Sequence, residues 1–133
     1  MRLIAAPSIV LALCLAVTPA VWADGVKTYQ AVCAVCHANG VAGAPKVGDR
    51  KAWAPLIEEG QPILTAHGYV GVRGMPAKGG KPDLSVEDFA ASLVHMVNAS
   101  GGKWAQPDAE GLKTIREEIV KRERELAKAK PGK

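Results

Sequence analysis

"VCAVCHANG" runs from Val32 to Gly40 and carries Cys33, Cys36 and His37. The chain holds only 3 cysteines in 133 residues, so two of them three apart with a histidine directly after demand a reason. On a helical turn, residues three and four apart share a face. Two thiols and an imidazole are thereby presented side by side.

The compartment narrows what such a trio is for. Residues 1–23 differ from the rest: Arg2 gives a positive start, and Leu3 to Val17 is almost wholly apolar, interrupted by Pro7 and Ser8. Thr18 and Pro19 end the run, and "AVWA" closes it at Ala23 with Val21 two places earlier. That pattern predicts a cleaved signal peptide with Asp24 as the mature start. The run is too short to span a membrane, which takes about 20 apolar residues. Leu13 is too bulky for Cys14 to be a lipoprotein site. The exported chain is then expected to be periplasmic, with Cys33 and Cys36 as its only cysteines.

A cysteine pair in an oxidising compartment ordinarily forms a disulfide. A thioredoxin-like pair would need a strand–helix context, and no alternating strand pattern is present. A structural zinc site needs four ligands, and only Cys33, Cys36 and His37 cluster. Cys-x-x-Cys-His is the signature of covalent haem attachment. Cys33 and Cys36 would bond the two vinyl groups as thioethers, and His37 would reach the iron from the same side. The expected cofactor is one covalently attached haem c.

A second axial ligand would come from Met75, Met96, His67 or His95. Met75 stands in "GVRGMPAKGG", whose glycines and proline let backbone approach a flat ligand closely. Met96 lies in an apolar helical pattern and reads as core filling. Met75 is the expected ligand and His67, after "PILTA", the main competitor. A histidine–methionine pair raises the reduction potential relative to two histidines.

The two stretches "VCAVCHANGVAGAPKVGDRKAWAP" and "GMPAKGGKPDLSVEDF" resemble class I c-type cytochromes, in particular the cytochrome c-five group, over about residues 25 to 99. The resemblance implies that the Pro45 carbonyl accepts a hydrogen bond from His37, and that Trp53 lies near a haem propionate. It also implies a first and a last helix that cross near the haem. Some relatives have an additional cysteine pair, which this chain lacks.

The resemblance implies an all-α fold, a small cytochrome c-type haem domain over residues 24–102 with an added charged helix in 103–133, and helical periodicity agrees with it. Val26, Tyr29, Val32 and Cys33 lead into the haem motif at helical spacing. Asp49 caps a short helix that Pro55 is expected to interrupt or restart. Gln61-Pro62 opens another, carrying Ile63, Leu64 and His67. Ser85 caps a helix that buries Phe89, Leu93, Met96 and Val97, with Tyr29 against Phe89 as the expected crossing contact.

"PDAEGLKTIREEIVKRERELAKAK" reads as one charged helix after a Gly101-Gly102 break. Leu112, Ile115, Ile119 and Leu126 form a narrow stripe, with Arg122 in the missing position. The stripe looks too thin for a second core. The helix either rests solvated on the haem domain or docks a partner through residues 108–130.

Residues 24–102 hold seven basic and seven acidic side chains, so the basic excess sits on the tail and offers no case for nucleic acid. Arg73, Lys78 and Lys81 flank Met75 and are expected around the exposed haem edge. No group is placed for acid–base work, so the expected role is not enzymatic. The protein is read as an electron carrier between a redox donor and acceptor. The alternative is a dedicated haem subunit of a larger oxidoreductase, docked through the tail.

Overall fold

Asp24 opens the first helix: its side chain accepts the Lys27 N–H at 3.0 Å. The computed structural model describes residues 23–130. The expected signal peptide, including Cys14, lies outside the described residues but for Ala23. Every element among the described residues is helical, and the one β-type pairing is an isolated bridge between Val72 and Met75.

The first helix is three segments without a break: α1 (Gly25–Thr28), a π-helical stretch Tyr29–Cys33, and α2 (Ala34–His37). In the π stretch the Ala34 N–H reaches back five residues to the Tyr29 carbonyl. This wide turn shifts the register that simple periodicity assumes. Val26, the first of the residues at helical spacing, is 47% exposed, while Gly25 is buried. A Cβ on Gly25 would lie 2.2 Å from the Ala91 carbonyl oxygen, so α1 can cross the later helix closely only because that atom is missing.

Asp49 caps α3 (Arg50–Glu58), accepting the Ala52 N–H at 3.1 Å. Pro55 does not interrupt this helix. Pro55 and Lys51, whose carbonyl loses its usual donor four residues on, are both exposed, so water can satisfy that carbonyl. Gly60 precedes α4 (Gln61–Val70), with Pro62 in its first turn as expected. Ser85 caps α5 (Val86–Ala99), accepting the Asp88 N–H at 3.1 Å. Phe89, Leu93, Met96 and Val97 are all buried on α5.

The crossing uses other ring pairs than expected. Tyr29 meets His95 at 5.0 Å between centroids, and Phe89 meets Tyr69 edge-on at 5.5 Å. The π turn and the Gly25 contact fix which face of α1 meets α5, and Phe89 is left facing α4.

The Gly101-Gly102 step is stitched down. Gly102 N–H donates to the Val97 carbonyl at 2.9 Å, Asn98 brackets Trp104 with two hydrogen bonds, and Gln61 donates to the Ala105 carbonyl at 3.0 Å. Asp108 then caps α6 (Ala109–Ala129), accepting the Gly111 N–H at 2.8 Å.

The α6 stripe forms a second core. Ile115 is 1% and Ile119 7% exposed, clustered with Ala66 and Ala90 and flanked by Tyr69, Val70, Val86 and Leu112. Burying an isoleucine fully stabilises by about 1.5–3 kcal/mol. Small side chains at Ala66 and Ala90 let α6 sit close, so a thin stripe suffices. Arg116 adds an ion pair to Glu87 on α5.

Candidate functional site

His37 ends α2 and is 7% exposed. The chain then turns back, with Gly40 at φ 75° and Ala42 at φ 53°, so that Val47 N–H donates to the His37 carbonyl at 2.8 Å. This brings the Pro45 carbonyl oxygen 2.9 Å from His37 Nδ1. A carbonyl only accepts, so Nδ1 carries the proton and Nε2 is left with its lone pair.

Trp53 of α3 is 2% exposed, its ring 6.1 Å from the His37 ring. The indole N–H donates to the Lys46 carbonyl at 3.0 Å. Trp53 thus braces the loop behind His37 and offers its ring as a wall.

Met75 is held by a tight turn. Val72 and Met75 exchange backbone hydrogen bonds of 3.2 and 2.9 Å, with Arg73 at φ 52° between them. A Cβ added to Gly68 would lie 3.7 Å from the Met75 methyl and 2.8 Å from the Phe89 ring, so the bare glycine leaves room for both.

Cys33, Cys36, His37, Pro45, Trp53 and Met75 all line one cavity of about 610 Å³. That is well within the usual range for cofactor sites. Its other walls are largely apolar, with Leu64, Phe89, Leu93 and Met96 among them. Both cysteines are free, and no three His, Cys, Asp or Glu side chains among the described residues group to hold an ion. Burial pushes the Cys33 thiol's pKa up, with Ser92 at 3.6 Å a smaller opposing influence. Two free thiols, an imidazole with an open nitrogen and a broad apolar slot fit a covalently bound haem.

The other axial candidates separate partly. His95 packs on the Tyr29 ring, and Met96, 2% exposed, serves the core as well as the cavity wall. His67 does line the cavity, and its Nδ1 is 2.8 Å from Glu59 Oε2. Sequence reasoning missed two charged residues on the same cavity: Glu59, and Arg122 of α6. The break in the α6 apolar stripe was the signal for Arg122.

Comparison with known proteins agrees with this geometry. A family model described as cytochrome C oxidase, cbb3-type, subunit III matches residues 20–96. Cytochrome c-555 of Chlorobaculum thiosulfatiphilum is 48% identical over 82 residues, 59% of this chain and 95% of the relative. Cytochrome c5 of Ectopseudomonas mendocina is 35% identical over 66 residues, 48% of this chain and 76% of the relative. A chain from a crystal structure of an electron transfer complex of nitrite reductase with cytochrome c is 40% identical, with a TM-score of 0.56, over 58% of this chain and 94% of that one. The whole of α6 lies beyond the residues the family model matches.

Proposed function

The chain belongs to the cytochrome c family, an electron carrier with one covalently attached haem c, and from that premise we propose a periplasmic carrier whose iron is ligated by His37 and Met75. When bound, haem supplies a one-electron change between ferrous and ferric iron. The observation that carries this reading is the single cavity shared by Cys33, Cys36, His37 and Met75.

Each residue has a distinct task in it. Cys33 and Cys36 tether the porphyrin, which suits an exported protein because a dissociable haem would be lost outside the cytoplasm. His37 offers Nε2, and Pro45 fixes the ring plane and tautomer through Nδ1. Met75 offers a thioether from the Val72–Met75 turn; this soft ligand raises the reduction potential. Leu64, Phe89 and Leu93 line the cavity and would exclude water from a haem held there. The docking partners are a redox donor and an acceptor. No helix among the described residues is long and apolar enough to cross a membrane.

Absorption spectroscopy and redox titration of the mature protein test the ligand set. Met75→Ala should lose the sulfur-to-iron charge-transfer band and lower the potential. A band that survives there and disappears in Met96→Ala would reassign the ligand. Fractionation of the expressing cells tests the compartment.

A haem-subunit role is a second reading, favoured by the oxidase-subunit description of the matching family model. Docking through the α6 stripe has little to offer it, because α4 already covers Ile115 and Ile119. Co-purification of a larger oxidoreductase with the native protein would select this reading.

A further inference from the structure

Arg122 stands where the α6 stripe should have an apolar side chain, three residues after buried Ile119. Its side chain is 26% exposed and lines the haem cavity. Its Nε is buried and has no hydrogen-bond partner among the described residues. Its nearest acidic oxygen, Glu125 Oε2 at 3.8 Å from Nη1, is beyond hydrogen-bond range. The acidic residue on the cavity wall, Glu59, is engaged with His67 at 2.8 Å.

Arg122 lines both this cavity and a smaller pocket between α4 and α6, and its guanidinium, with a buried donor left over, has capacity for an acceptor on the haem side. The ligand this family carries is a flat apolar body whose two propionate carboxylates are its ionised side groups. A guanidinium presents a planar fork of donors that matches a carboxylate. We propose that Arg122 is a haem-binding residue, its guanidinium delivered from α6 to a haem propionate at the wall formed with Glu59 and His67. The inference rests on haem occupying this cavity. It gives the C-terminal helix, which the family model does not reach, a part in the redox site.

The test is a spectroelectrochemical titration of the full-length mature holoprotein and its Arg122→Met, Arg122→Gln and Arg122→Lys variants. The methionine completes the apolar stripe and the glutamine keeps a donor, so at least one neutral variant should retain the fold. Removing a cation beside the haem favours the ferric state. The ferrous-to-ferric ratio at a fixed ambient potential should fall about threefold to tenfold in the neutral variants, tenfold being about 59 mV for one electron. Arg122→Lys should keep most of the parent value. Lys128→Met, the same charge change farther along α6, should not move it.

A parent-like potential in the neutral variants overturns the proposal. So does a shift that vanishes in a Glu59→Gln background, since Arg122 would then serve that carboxylate instead. Absence of covalent haem from the parent protein would overturn the functional reading itself, and this inference with it.

Discussion

The Phe89 ring lies against the bare α-carbon of Gly68: a Cβ there would stand 2.8 Å from Phe89 Cζ. The same spot faces the Met75 methyl, so one missing side chain lets α4, α5 and the Met75 turn converge. Gly68→Ala should force Phe89 aside, at a cost of about 1–3 kcal/mol. Thermal unfolding of the holoprotein measures it, and an unchanged midpoint would show that Phe89 has room to yield.

The tail belongs to the core. Ile115→Ala should destabilise the holoprotein by about 2–5 kcal/mol. Truncation after Gly102 should cost more, since it uncovers Ala66, Ala90 and Val86 together. Urea titration followed by haem absorption reads both. A truncated protein as stable as the parent would return α6 to the status of a solvated appendage.

Acid should loosen one attachment of that helix. The Arg116 guanidinium, with a backbone hydrogen bond adding to it, holds the Glu87 carboxyl below the usual carboxylate range. A depressed folded pKa contributes stability above the unfolded value, about 4.3 for glutamate, and loses it as pH falls through the lower folded value. Both side chains are nearly half exposed, so the contribution is at most about 1 kcal/mol. Glu87→Gln should therefore be slightly less stable than the parent in urea at about pH 6, with the gap closing toward about pH 3. A gap that widens on acidification would mean the sign is wrong.

Charge at the Met75 turn should govern encounter rates unequally. Lys81 Nζ pairs with Asp83 at 2.9 Å, and Lys78 donates to the Pro82 carbonyl at 2.9 Å while standing over the Tyr69 ring. Arg73 is exposed on the cavity rim with no ion pair among the described residues. Rim charges act chiefly on association and its salt dependence. Arg73→Glu should slow transfer to an acidic redox partner at low salt more than Lys81→Glu does, and both effects should fade at high salt. Stopped-flow traces with equal sensitivity at the two positions would place the partner elsewhere.

Local chemistry was the legible part of the sequence. The Asp49 and Ser85 caps, the Pro62 start and the inner face of α5 depend on a few adjacent residues, and all appear as read. The spacing of Cys33, Cys36 and His37 marked out one wall of the cavity. What escaped depends on distant geometry. The Tyr29 partner follows from how α1 crosses α5, and the bond from the Trp53 indole to the Lys46 carbonyl joins groups that meet only after the chain has turned back. The α6 stripe looked too thin because its strength comes from the alanines on the surface it meets, which no count along α6 reveals.

The π-helical stretch sets the angular phase between two attachments. Gly25 must face Ala91 at one end of the first helix, and Cys33, Cys36 and His37 must face the cavity at the other. Each residue of an α-helix turns the chain by about 100°. Deleting Ala31 would regularise the helix yet swing everything after it by roughly that angle while Gly25 stayed in place. The extra residue between Thr28 and Cys33 thus works as a coupling that keeps two ends of one rod aimed at different targets, and shortening it by one would leave the fold to choose between its crossing and its cofactor.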